Sequence, residues 1–421
     1  MVSGQNGFFI RQYKYLYCRF KTCYMNTTTG IKLSLMMFLQ YFIWSAWYVT
    51  LGTYMSEPPL GASGIQIGAT YGALAIATMI SPFFVGLIAD RFFAAQKIMG
   101  VLHVLGAGLL FMATKITDSN IFYWTILCYS LLYMPTIALS NSVAFSQMTD
   151  PGKQFPWIRV FGTIGWIVAG VMIGQMGIEK SADTFYIAAA VSAGLGLFSF
   201  ILPNTPPKAQ TADASSALGT EAFVLFKDKS YLVFFIAAIL ICVPLSFYYG
   251  FANPFLNEIG FPNAASKMTL GQVSEAVFIL AIPLLFNRIG VKNMLIFGML
   301  AWVLRYVFFA YGNTGDANWM LYAGIVLHGI CYDFFFVTGY MYTEKKAGEK
   351  IKNAAQGLFT FATYGLGMVI GTGYSGYVVD GAKTATGHNW MSIWMVPAYI
   401  AAAVLVFFIV FFKEKKSIAT T

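Results

Sequence analysis

Charge is what this sequence has least of. Only 10% of its 421 residues are Asp, Glu, Lys or Arg, where a soluble globular chain carries roughly 25%. Water is therefore not the solvent for most of its surface. Cysteine is scarce as well. Cys18, Cys23, Cys128, Cys242 and Cys331 are scattered, with neither metal-ligand spacing nor an even framework, which excludes a disulfide scaffold and a cysteine-built metal centre. Three of them fall in apolar runs and read as small core residues. There is no G-x-S-x-G, no H-E-x-x-H and no phosphate-cradling glycine loop, and the few histidines are dispersed. The chain offers an enzyme no recognisable centre, and its loops are too short to hold the soluble domain of a sensor. Short alternating strands are missing too, which excludes a β-barrel. No cofactor is expected.

What is abundant is apolar: 58% of residues are hydrophobic and 17% aromatic. About 20 consecutive apolar residues cross a bilayer core, and lipid-facing backbone must satisfy its own hydrogen bonds, so these runs read as transmembrane helices. About twelve runs are expected, near 31–55, 66–89, 97–116, 121–147, 155–177, 184–203, 230–255, 268–287, 293–312, 318–342, 354–378 and 390–412. The one long polar connection, NTPPKAQTADASSALGTEAFVLFKDKS, divides them into two sets of six. This predicts a tail over 1–30, a six-helix bundle over 31–203, a central loop over 204–229, a second bundle over 230–412 and a tail over 413–421. The segment from Phe8 to Phe20 is basic and aromatic, without the apolar core of a signal peptide. Met25, followed by NTTTGIKLSLMMF, reads as a natural start.

Lysine and arginine orient the bundle. With both termini inside, the outer loops keep only Lys115, Lys180, Lys267 and Lys383, while every other loop or tail cation falls on the cytoplasmic side. The net charge of +9 thus faces anionic lipid and not nucleic acid. Short basic turns recur at matching places in the two halves, GLIADRFFAAQK (Gly86 to Lys97) and LLFNRIGVK (Leu284 to Lys292). Two six-helix repeats with a cytoplasmic central loop form the architecture of the major facilitator superfamily, whose G-x-x-x-D-R loop motif Gly86 to Arg91 resembles.

Four charged groups remain inside the spans, Arg159, Glu275, Arg305 and Asp333, with the titratable His103 and His328. A charge at mid-bilayer costs at least about 2.5–3.5 kcal/mol, so such groups face the bundle interior, a partner or a water-filled cavity. Gln272 and Glu275 lie three apart on one helix face, either a proton-carrying carboxylate beside a substrate-binding amide or a structural ion pair. His328 and Tyr332 lie four apart, with Asp333 about 100° round from Tyr332. Arg159 follows Pro156, which reads as the start of the fifth helix; it either snorkels to the interface or joins Thr163 and Trp166 in a stripe at i, i+4 and i+7. Arg305 lacks polar company on its own face and reads as structural. Trp44, Trp47, Tyr248 and Tyr249 could stack on a flat ring, though most aromatics in such a chain pack or form an interfacial belt.

The sequence resembles the nucleoside:proton symporters of the major facilitator superfamily. The likeness runs from about Gly30 to Lys416, through LQYFIWSAWYVTLGTYM (39–55), LLYMPTIALSN (131–141), FPWIRVFGTIGW (155–166), AFVLFKDK (222–229), QVSEAVFILAIP (272–283), AWVLRYVFFAYG (301–312), YDFF (332–335) and AAQGLF (354–359). It implies that Arg159 and Thr163 face a central cavity, with Trp166 where the family has a phenylalanine. Gln272 and Glu275 match the family's polar pair on the eighth helix, and Asp333 its tenth-helix aspartate. Tyr332 replaces a phenylalanine and His328 a tyrosine, and Ser246 and Tyr249 stand where members can carry two amides. The implied activity is proton-coupled nucleoside import across the inner membrane by a monomer, with Glu275 or Asp333 carrying the proton. Another small polar solute, such as a sugar, is the alternative.

Overall fold

The computed structural model describes residues 26–84, 93–207 and 220–413. The motif residues Gly86 to Phe92, most of the expected tails and much of the central loop lie outside them. The first half contains α1 (Thr27–Tyr48), α2 (Leu51–Ser56), α3 (Gly64–Phe84), α4 (Ala95–Ala113), α5 (Ser119–Ser146), α6 (Pro151–Met176) and α7 (Asp183–Ser199). A 3₁₀ turn (Thr220–Lys227) leads into the second half: α8 (Lys229–Glu258), α9 (Ala264–Tyr311), α10 (Asn318–Tyr332), α11 (Thr338–Thr360), α12 (Met368–Gly381) and α13 (Trp390–Phe411). Two π-helical turns, Asp333–Val337 and Phe361–Gly367, join α10 to α11 and α11 to α12. A two-residue hairpin, β1 (Lys383–Thr384) with β2 (Gly387–His388), precedes α13.

Two long rods are each broken by one glycine. Gly290 in α9 (φ 74°, ψ 164°) and Gly348 in α11 (φ 65°, ψ 178°) sit where residues with a Cβ are strained, and each rod kinks there with no intervening loop. The basic turn expected at Leu284 to Lys292 falls at the Gly290 kink. The fifth rod also departs from expectation. Pro156 lies inside α6, and Pro151 starts it, its fixed φ suiting the first turn while Pro156 removes a single donor. Asp118, Asp228 and Asn389 cap their helices by accepting backbone N–H bonds, replacing the water that a helix end would otherwise need.

Among the described residues, eight helical stretches are long and apolar enough to cross a membrane. The short α7 falls below that measure, and so do α1 and residues 264–289. The last two carry Gln40 and Ser45, and Thr269, Gln272 and Glu275, toward the protein interior. Outside, Trp157, Leu280 and Tyr399 expose large apolar surfaces, as a lipid-facing wall requires. Cys242 and Cys331 are core residues as expected, but Cys128 faces outward.

The halves meet along α3–α12, α6–α9 and α2–α8. Among the described residues, side-chain hydrogen bonds between them gather at one end. Thr53 donates to Asn253 (2.6 Å), Gly64 and Ile65 donate their N–H groups to Asp380 (2.7 and 2.9 Å), and Ser266 donates to the Val171 carbonyl (2.9 Å). Glycine makes the seam close. A Cβ on Gly68 would meet the Thr372 carbonyl, so α3 and α12 touch backbone to backbone.

Candidate functional site

Between the halves lies a cavity of about 460 Å³, within the usual range for small-molecule sites. Each half supplies one wall, because α6 and the first limb of α9 cross at the centre and turn their polar stripes inward. From α6 come Arg159, Thr163 and Trp166; the 3.6-residue repeat that aligned them in the sequence places all three on the cavity. From α9 come Gln272 and Glu275, from α8 Tyr249, and from α10 His328 and Tyr332. The cavity continues past Tyr340 and Thr360 toward the end opposite the hydrogen-bonded seam.

Ser246 and Asp333 do not line this cavity. Ser246 donates to the Cys242 carbonyl (2.8 Å) and faces α12, where a Cβ on Gly371 would strike its hydroxyl. Asp333 opens a π-helical turn and is fully buried behind Tyr332, the 100° rotation between neighbouring helix positions having turned it away. Neither carboxylate oxygen of Asp333 has a hydrogen-bond partner among the described residues.

The four charges inside the spans do not pair as cation with carboxylate among the described residues. Arg159 instead sits 4.1 Å from the centroid of the Tyr41 ring, which supplies π density in place of a counter-ion. Its side chain lines the cavity. Arg305 finds its polar company on another helix: its Nη1 is 2.9 Å from His328 Nδ1, and its guanidinium carbon lies 3.4 Å from the Tyr248 ring centroid. His328 Nε2 in turn stands 3.9 Å from a Glu275 carboxylate oxygen. His103, the other buried histidine, is structural, bonded to Gln40 (2.9 Å) and Ser192 (3.3 Å) within the first half.

Aromatic rings line much of the remaining wall. Trp44 packs edge-on against Trp166 with centroids 5.5 Å apart, and Tyr48 against Tyr71 at 5.0 Å. The Tyr332 and Tyr364 hydroxyls bond to each other across the second half. Trp44 and Tyr249 reach the cavity; Trp47 is in the core, and Tyr248 lies behind Tyr249 against Arg305. Sequence reasoning passed over Tyr41, Tyr71, Tyr340 and Tyr364, since one aromatic among many carries no mark of where it points. Such a chamber offers flat π surfaces, one cation, an amide and a carboxylate, a set suited to a planar, hydroxylated solute.

The chain matches known proteins over nearly its whole length. The model of the family described as nucleoside H+ symporter matches residues 25–417. The chain is 42% identical to a putative nucleoside transporter of Escherichia coli K12 over 92% of its length and 94% of that protein. It is 36% identical to the xanthosine permease of the same strain, over 91% of this chain and 96% of that one. The crystal structure of the nucleoside transporter NupG superposes with a TM-score of 0.85 at 34% identity, covering 92% of this chain and all of that one. A peptide transporter shares the fold alone, at a TM-score of 0.71 and 13% identity. The chain is a membrane transporter and not an enzyme, and it belongs to the nucleoside H+ symporter family.

Proposed function

We propose that this transporter imports nucleosides together with protons across the inner membrane, binding them in the cavity between its halves. The observation that carries the reading is the opposition of Arg159 and Thr163 on one wall to Gln272 and Glu275 on the other, inside an aromatic chamber. The base stacks on the rings, while ribose hydroxyls and base edges meet Arg159, Gln272 and Glu275. Twelve helical rods cross the bilayer in two sets of six, with both termini cytoplasmic. The glycine breaks in α9 and α11 support that count, and the basic inner loops support the orientation. The hydrogen-bonded seam is then the outer end, and the cavity faces the cytoplasm. One copy encloses the whole cavity, which fits a monomer.

Glu275, on the cavity wall, and Asp333, buried behind it, are the proton carriers in this reading. Coupling follows if the solute binds more tightly to the protonated form, so that the inward proton gradient biases the exchange between outward- and inward-open states. The test is counterflow of labelled uridine in proteoliposomes, challenged with purine nucleosides, pyrimidine nucleosides and sugars. Nucleosides should compete and sugars should not. Competition by sugars alone would replace the nucleoside with a sugar as substrate.

A further inference from the structure

His328 has two ring nitrogens, and only one hydrogen if the ring is neutral. The structure determines where that hydrogen must be. Arg305, fully buried on the second limb of α9, directs Nη1 at His328 Nδ1 over 2.9 Å. A guanidinium has donors only and does not deprotonate in proteins, so Nδ1 must be the acceptor. An imidazolium would set N–H against N–H and one cation against another, with both groups buried. The ring is therefore neutral and carries its hydrogen on Nε2, the nitrogen turned to the cavity.

The surroundings hold the ring in that pose. Tyr248 stacks on it (centroids 5.1 Å, 27°) and also packs against the Arg305 guanidinium, so ring, phenol and cation form one packed unit. Tyr332 packs at 5.7 Å and Tyr249 edge-on at 6.4 Å. Gly271 leaves room: a Cβ there would come within 3.1 Å of His328 Cβ. Glu275 is the one carboxylate among the described residues facing the ring, and 3.9 Å from Nε2 it is too far for a direct hydrogen bond. The gap suits a bridging hydroxyl, which would accept from Nε2–H and donate to a Glu275 carboxyl oxygen, an acceptor in either protonation state.

We infer that Arg305 is a positioning residue for transport: it locks His328 as the neutral Nε2–H tautomer, so that the cavity wall presents a fixed N–H donor beside the Glu275 acceptor for a solute hydroxyl. Without the guanidinium, a ring flip or tautomer exchange would turn a lone pair toward Glu275, and a hydroxyl between them would lose its donor. The inference rests on the cavity being the solute site, as proposed above.

Nitrogen-15 NMR of the full-length protein in lipid nanodiscs, labelled at histidine, reads the tautomer directly without any solute. The signals absent from His328→Gln should show a protonated Nε2 and a lone pair on Nδ1 at neutral pH. An imidazolium, a mixture or the opposite tautomer overturns the inference, and this spectrum decides even if no Arg305 variant folds. Arg305→Gln can still donate to Nδ1 and should keep both the tautomer and uridine counterflow. Arg305→Met should give a tautomer mixture and raise the apparent KM about tenfold, the loss of one hydrogen bond, with the maximal rate changed far less. Arg305→Met with the tautomer or the KM of the parent protein would show that Arg305 does not position the ring. If the parent protein failed to exchange any nucleoside, the functional reading would fall while the tautomer assignment stood.

Discussion

Glu179 accepts a hydrogen bond of 2.8 Å from the Asn253 side chain, across the seam between the two halves. The same carboxylate accepts from Asn257 (2.8 Å) and from the Ala265 backbone N–H (2.9 Å), and it is only 5% exposed. Thr53 closes the set by donating to Asn253. A buried carboxylate is tolerated when donors replace its water, and here every donor comes from the opposite half. Opening this end of the cavity must break those bonds together.

Glu179→Gln sets an amide N–H against the amide donors of Asn253 and Asn257 and should weaken the seam by about 1–3 kcal/mol. In a cysteine-free background, a cysteine placed at Thr163 should then react faster with an impermeant thiol reagent added from outside. Unchanged labelling would mean that the seam does not hold the outer end shut.

Substitution of the cavity carboxylate should separate exchange from accumulation. Glu275→Gln keeps the shape and one acceptor but cannot release a proton, so uridine counterflow should persist while uphill, ionophore-sensitive uptake disappears. Asp333→Asn is the companion test for the deeper carboxylate. Retention of uphill uptake by both variants would remove these two residues from the coupling step.

Arg159 over Tyr41 carries a prediction about charge and shape. Arg159→Lys keeps the cation but loses the planar fork that donates to two acceptors at once, and its apparent affinity for uridine should fall about tenfold. Tyr41→Leu removes the π surface under the guanidinium and should cost less, about 0.5–1 kcal/mol. Equal effects of the two on competition assays would argue that packing, and not cationic recognition, is what Arg159 supplies.

Asp228, at the start of α8, pairs with Lys346 (2.5 Å) and accepts from the Ser230 and Tyr231 N–H groups. Lys346 first, and then those N–H groups, hold its carboxyl below the ordinary 3.8. A carboxyl depressed by folding stabilises the fold above its unfolded value, and that stabilisation is lost as pH falls below 3.8 through the lowered value. Asp228→Asn keeps the helix cap and removes only the charge. Its stability at neutral pH, read from thermal unfolding, should therefore drop by the small margin of a surface pair, under about 1 kcal/mol, and the gap should close in acid. Asp228→Ala should lose about 1 kcal/mol more, the worth of the cap.

The polar stripes were legible because a helix repeats every 3.6 residues and because an intramembrane charge has few places to go. That logic brought Arg159, Thr163 and Trp166 to one wall, and Gln272 with Glu275 to the other. It failed where a residue's surroundings come from a different helix. Arg305 looked isolated because its partner His328 is on α10, and Glu179 drew no reading because its donors are on α8 and α9. Asp333 and Ser246 shared a helix with cavity residues but not a face, and local π-helical winding begins at Asp333 itself.

Hydrophobic run length, loop charge and helical period together determined that this chain is a helical membrane protein with a polar interior, since each depends only on neighbours along one segment. Which aromatics surround the cavity, which end of it is sealed and which nitrogen of His328 holds the hydrogen depend on contacts between segments far apart in sequence. Those were decided only when the two halves packed together, because a donor has an assigned role only once its acceptor has a place.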